Sequence, residues 1–271
     1  MRPVCFISDY GLSGELAGIC RGVMVGIAPG VSIIDVTHSV PKFDVVRGAE
    51  TLRHATGYMP EDAVYLAVID PDDKPVRREF AAETGSGALL VGPDNGLLMP
   101  AAEALGGVSR AVSLTNREYH LHPVSHSFHG RDVFSPVAAH LAAGVGLDEL
   151  GEDVTPASLS PIDFPEARKE GDGIVAEIID IDSFGNARLS ATARDLDADY
   201  GTQLEVSVRD ETMEATYVQT FGASDTGDLV LLMDSHWRLS LAVNRGNAAR
   251  ALLLSTGDGV RIQRTEDGSS P

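Results

Sequence analysis

Apolar residues recur along the first half of the chain in two alternating rhythms. Short continuous apolar runs at Val4–Ser8, 31–36, 63–69 and 88–91 read as buried strands. Between them, apolar positions spaced three and four apart read as helices. Leu16, Ile19, Cys20, Met24 and Ile27 form one such set, closed by Pro29-Gly30. A second helix is expected over about 44–58, with Val45, Val46, Ala49, Leu52 and Ala55 turned inward. A third, shorter one carries Phe134, Val137, Ala138, Leu141 and Ala142. Strands separated by helices predict an N-terminal α/β domain, with a mostly parallel central sheet and helices on both faces.

The rhythm changes after a polar, charged stretch at 163–173, which suits a linker. Beyond it, runs at 174–181, 204–208, 216–219 and Leu229–Met233 read as strands joined by turns. A smaller, mostly antiparallel β domain is expected there. The predicted organisation is an α/β domain over 1–165, a β domain over 172–264 and a disordered tail over 265–271.

Polar residues close several of the N-terminal strands. Asp9, His38-Ser39, Asp70 and Asp94-Asn95 each follow the last apolar residue of a run. Open α/β sheets bind ligands outside the carboxyl ends of their strands, so these residues are candidates for one crevice. Turn chemistry also favours Asp and Asn and is the competing reading.

Composition narrows the partners. The formal net charge of −19 over 271 residues disfavours nucleic acid and anionic membranes. No apolar run approaches the roughly 20 residues of a membrane span, and the N-terminus leads straight into a strand, so a cytoplasmic protein is expected. Cys5 and Cys20 are too few for a disulfide scaffold and read as small buried hydrophobes.

The densest chemistry lies in Ser127-Phe128-His129-Gly130-Arg131-Asp132. Histidine titrates near neutrality, and glycine lets backbone approach a ligand closely. His120, His122 and His126 stand nearby, but the spacing matches neither a zinc finger nor a metalloprotease helix, so no metal is expected. Asp9 suits a ribose diol, because a carboxylate accepts two hydrogen bonds side by side; a turn or helix-cap role competes. The dinucleotide fingerprint, the P-loop and the nucleophile elbow of hydrolases are all missing from the sequence. Asp182-Ser183-Phe184-Gly185-Asn186 offers an aromatic face and an amide, as a purine edge requires, and Ser235-His236-Trp237 with 244–249 forms a further polar cluster.

Seven ordered segments carry a resemblance: FISDYGLSG at 6–14, DVTHSV at 35–40, DP and RR within 70–78, VGPDNGLL at 91–98, SFHGRDVFSPVAAHLA at 127–142, IDSFGN at 181–186 and LAVNRGNAA at 241–249. Together they resemble the S-adenosylmethionine hydroxide adenosyltransferases, or S-adenosylmethionine hydrolases, which are related to fluorinase and chlorinase. The resemblance implies an N-terminal α/β domain with a C-terminal β-barrel, in a homotrimer or dimer of trimers with sites at subunit interfaces. It implies hydrolysis of S-adenosyl-L-methionine to adenosine and L-methionine without a cofactor. The water-activating Asp, Arg and His fall on Asp70, Arg77 and His129, and the ribose-binding Asp on Asp9. Phe43 packs near the sugar, and Asn95 and Phe128 join the substrate-binding set. Phe184, Asn186 and the main chain near Arg245 hold the adenine, while Asp182 and Ser235 meet the methionine end. Two positions depart from the family pattern: PDDKPV at 71–76 replaces a glycine-rich loop, and Gly14 stands where relatives carry an acid.

A histidine at 129, where halogenases carry tyrosine followed by serine, points to water rather than halide. Gly130 is expected to leave room there. A metal-dependent nucleotidase or phosphatase built on Asp9, Asp70, Asp94 and the histidines, and a non-catalytic nucleoside-binding protein, are the remaining alternatives.

Overall fold

The computed structural model describes residues 1–71 and 78–265. Contacts divide the chain into two compact units, Met1–Asp163 and Phe164–Pro271.

The first unit opens with strand β1 (Val4–Ser8), helix α1 (Leu16–Ile27), strand β2 (Ile33–Thr37), helix α2 (Val45–Thr56) and strand β3 (Val64–Val68). Strands β4 (Glu79–Thr84) and β5 (Leu89–Pro93), helix α3 (Met99–Ala104), strand β6 (Val108–Ser113), helix α4 (Ser135–Ala143) and the short strand β7 (Asp153–Val154) follow. The sheet order is β2-β1-β3-β5-β4-β6-β7. Strands β2, β1, β3 and β5 are mutually parallel, while β4 runs antiparallel between β5 and β6. Strands β1, β3 and β5 are continuous apolar runs because both faces are covered, while the edge strand β2 carries Asp35 and is only partly buried. Helices α1 and α4 pack together, as do α2 and α3. The core on the α1 and α4 side contains Phe6, Met24, Leu66 and Phe134, all fully buried.

The chain moves from β1 outward to β2 and then crosses to β3 on the other side of β1. The switch point therefore lies between the carboxyl ends of β1 and β3, where a crevice opens. Asp9 follows β1 directly and Asp70 follows β3 by two residues.

The helices start and stop for local reasons. Asp44 caps α2 by accepting a 2.9 Å hydrogen bond from the Arg47 amide. Gly144, at φ 101°, ends α4 in the left-handed conformation that glycine adopts without strain. Ile19, expected to face inward, is 37% exposed; Ala17, Cys20 and Met24 carry the buried stripe of α1. Cys5 and Cys20 are buried free thiols, and burial pushes both up to about 11.

The second unit is all but entirely β: β8 (Arg168–Glu170), β9 (Gly173–Ile181), β10 (Ala187–Leu189), β11 (Gln203–Val208), β12 (Glu211–Tyr217), β13 (Leu229–Met233), β14 (Leu239–Val243) and β15 (Gly259–Arg264), with the short helix α5 (Ala248–Ala251) before the last strand. Seven of these strands, β10-β14-β13-β12-β11-β15-β9, close into a barrel through the β9–β10 pairing. Among the described residues of this unit, only β12 and β13 pair in parallel. Alternate residues fill the interior, among them Ile174, Ala176 and Ile178 from β9 and Leu204, Val206 and Val208 from β11. The strand expected at 216–219 is in fact Glu211–Tyr217, paired along its length with β11.

Candidate active site

A cavity of about 480 Å³ sits at the switch point of the first unit, within the range of small-molecule sites. Asp9, Phe43, Asp70, Phe128 and His129 line it together with Tyr10. Asp9 is held by its neighbour across the crevice, since its Oδ2 accepts a 2.9 Å hydrogen bond from the Phe43 amide. Phe43 adopts φ 66° to make that contact, a conformation an L-residue avoids unless its surroundings impose it.

His129 stands at the entrance to a π-helical turn, Gly130–Phe134, that runs into α4. Its Nδ1 lies 2.7 Å from Oε1 of Glu79. The contact has the distance of an ion pair without hydrogen-bond alignment, so the carboxylate acts on the ring through its charge and favours the imidazolium. Glu79 reaches this position because β4 is antiparallel. Its first residue pairs with Pro93 at the carboxyl end of β5, on the ligand side of the sheet.

The loop carrying His129 is clamped from behind. Arg131 donates two hydrogen bonds to Asp132, at 2.6 and 2.8 Å, and the Ser125 amide donates a third at 2.8 Å. Burial works to raise the Asp132 carboxyl, but these donors outweigh it and hold the group below the usual carboxylate range. The Arg131 guanidinium also lies 5.1 Å over the Phe128 ring.

Gly130 does not leave open room. A β-carbon there would fall on the Tyr10 hydroxyl, so the tyrosine already fills the space expected beside His129. Tyr10 packs edge-on against Phe128, with ring centroids 5.7 Å apart.

The structure brings together two of the four strand-end groups, Asp9 and Asp70, and turns the others to different work. His38 is buried, with Nδ1 2.8 Å from Ser8 Oγ and Nε2 3.0 Å from Asp35 Oδ1, and Arg21 donates to Asp35 at 2.6 Å. The order Ser-His-Asp is that of a hydrolase triad, but Ser8 is 0% exposed, so the array ties β1 to β2. Asp94 accepts from the Ser160 amide at 2.7 Å. Asn95 donates to the Ile69 carbonyl at 2.9 Å and accepts from the Leu97 amide, which braces the turn entering Asp70. Arg77 lies outside the described residues, as does the rest of 72–77. Among the described residues, no group of three His, Cys, Asp or Glu side chains is arranged to hold a metal.

In the second unit, Asp182, Phe184 and Asn186 form the β9–β10 turn. Asp182 accepts from the Phe184 and Asn186 amides at 2.9 Å each and from Asn186 Nδ2 at 2.8 Å, so most of its acceptor capacity serves its own loop. Gly185, at φ 86°, abuts the Asn247 side chain, and its carbonyl accepts from the Ala249 amide at 2.9 Å. This turn and the segment around Arg245 therefore share one rim of the barrel, where Phe184 is 75% exposed. Ser235 sits in the β13–β14 turn. Its neighbour Asp234 shares the Arg188 guanidinium with Asp180 of β9, two residues before Asp182.

The amino-acid sequence of residues 4–151 matches the N-terminal domain model of the SAM hydroxide adenosyltransferases, and residues 176–261 match the C-terminal one. The chain belongs to the SAM hydroxide adenosyltransferase family. It is 45% identical to a protein of Salinispora tropica named (R)-S-adenosyl-L-methionine hydrolase, over 96% of this chain and 97% of the relative. A fluorinase of Actinoplanes is more distant, 28% identical over 96% of this chain and 97% of its own. A crystal structure of an uncharacterized conserved protein from Thermotoga maritima superposes with a TM-score of 0.89 at 32% identity, covering 96% of this chain and 100% of the other.

Sequence reasoning did not find Glu79 or Tyr10 as site residues in this chain. Glu79 follows two arginines in a polar stretch, and only the strand pairing brings it to His129. Tyr10 was legible as the residue after Asp9, but nothing local tells that its hydroxyl meets Gly130.

Proposed function

We propose that this protein hydrolyses S-adenosyl-L-methionine to adenosine and L-methionine. The observation that carries the reading is the meeting of Asp9, Asp70 and His129 in one cavity at the switch point of a chain from this family. A water oxygen attacks ribose C5′ in line with the sulfonium. The new C–O bond forms as the C5′–S bond breaks, and the bonding pair leaves with sulfur as the neutral thioether of methionine. The water's proton passes to the His129 imidazole, and the Glu79 carboxylate 2.7 Å from its Nδ1 favours the cation that forms. Asp9 holds the ribose hydroxyls, and the Phe43 amide fixes Asp9 in turn. Asp70 keeps negative charge beside the water, and Arg77 orients that carboxylate. The barrel residues Phe184, Asn186 and Arg245 take the adenine, and Ser235 takes the amino-acid end, with Asp182 shaping the turn that presents Phe184. No cofactor enters this scheme.

Greater identity to the hydrolase than to the fluorinase favours water over halide as nucleophile. Homotrimers or dimers of trimers in the cytoplasm complete the proposal. No helix among the described residues is long and apolar enough to cross a membrane.

Turnover in oxygen-18 water tests the reaction. Label at the 5′ oxygen of adenosine, unaffected by EDTA, is the expected result. Absence of adenosine refutes the reading, and EDTA-sensitive release of phosphate from nucleoside monophosphates would replace it with a metal-dependent phosphatase.

A further inference from the structure

Tyr10 is a polar group in an apolar corner of the cavity. Its ring packs edge-on against Phe6 and Phe128, with centroids 6.4 and 5.7 Å away. Its hydroxyl abuts the backbone at Gly130, next to His129, at a point where any side chain on residue 130 would collide with it. Among the described residues that hydroxyl has no hydrogen-bond partner, and it is not one of the sealed polar atoms, so it opens on the cavity. A phenol placed this way takes its partner from whatever occupies the cavity.

We infer that the Tyr10 hydroxyl is a further catalytic group, donating a hydrogen bond to the water that attacks S-adenosylmethionine, and that Gly130 is glycine so that it can. The role rests on the hydrolase reading given above. A water has two protons and two lone pairs. With one proton directed to the His129 imidazole and the other to Asp70, both of which line this cavity with Tyr10, a bond from the tyrosine fixes one lone pair. The remaining lone pair is then the only one left to aim at carbon. Three fixed directions orient the fourth, and orientation of this kind is a large share of the rate gain available to an enzyme. Burial pushes the Tyr10 phenol far above its ordinary value, so it remains a donor throughout the working pH range and does not compete with His129 as a base.

Tyr10→Phe deletes the donor and keeps the ring. The expected result is a fall in kcat of about tenfold or more, with KM and the adenosine Kd held within about threefold. Gly130→Ala should lower Tm and kcat, and its Tm loss should be smaller in the Tyr10→Phe background, because the colliding oxygen is gone. An unchanged kcat in Tyr10→Phe overturns the inference while leaving the hydrolase intact. Equal losses in kcat and adenosine affinity overturn it in favour of a sugar contact. Equal Tm losses for Gly130→Ala in both backgrounds overturn the packing argument. If the native protein releases no adenosine, the hydrolase reading falls and the water-holding role with it, while the Tm comparison still reports the Tyr10–Gly130 contact.

Discussion

Replacing Glu79 by glutamine keeps the shape of the partner of His129 and removes its charge. The Nδ1–Oε1 contact of 2.7 Å puts the two centres of charge roughly 4 Å apart once the imidazole is cationic. At that separation a unit pair contributes about 1 kcal/mol in bulk water and about 4 kcal/mol at the effective dielectric of a protein surface. The side chains are 31% and 19% exposed, so solvent screens the pair and the lower part of that range, about 1–2 kcal/mol, applies. In the proposed reaction positive charge develops on His129 as it takes the water's proton, so the loss falls on the transition state and leaves substrate binding alone. Glu79→Gln should therefore lower kcat about 5- to 30-fold with KM unchanged. Initial rates of adenosine release, with adenosine affinity measured by calorimetry as the control, make the comparison. An unchanged kcat would show that the pair does not assist proton transfer, and a matching loss of adenosine affinity would show that Glu79 only supports the loop.

Other outcomes follow from the same geometry. Asp9→Asn keeps an acceptor for the Phe43 amide but loses the charge facing the ribose, so KM should rise about 10- to 150-fold with kcat little changed; the reverse pattern in steady-state kinetics would remove Asp9 from the sugar. Asp132 has its folded value depressed, so its contribution to stability is present above the unfolded value near pH 4 and is lost as pH falls through the folded one. Acid unfolding followed by circular dichroism should show less loss below about pH 4 in Asp132→Asn than in the native chain, from a lower starting stability, and identical acid limbs would contradict the clamp. Leu66→Ala, in the fully buried centre of β3, should cost about 2–5 kcal/mol in denaturant melts, and a cost under about 1 kcal/mol would mean that the sheet relaxes around the gap.

The elements that announced themselves were those whose signal is local and repeated. Strands β1, β3 and β5 are apolar runs bounded by polar residues, and α2 combines a helical period with its Asp44 cap. Strand β4 was silent because Phe80-Ala81-Ala82 is short and alanine-rich, and alanine favours strands little. Strands β14 and β15 were missed because their identity lies in barrel pairings between distant segments. Gln263 and Arg264 consequently belong to β15, at the edge of the tail that composition suggested.

The sequence by itself determined the residue types of the site, their order and their place at strand ends. From these follow the α/β class, the carboxylate and imidazole chemistry and the family resemblance. Only the tertiary structure decided which of those residues meet. It sent His38 inward to Ser8 and Asp35, gave Asn95 the task of bracing Ile69, and brought Glu79 and Tyr10 to His129 and Gly130. The reason is physical: a strand's pattern records which of its faces is buried, but the neighbour it pairs with is set by register and crossover between segments far apart in sequence.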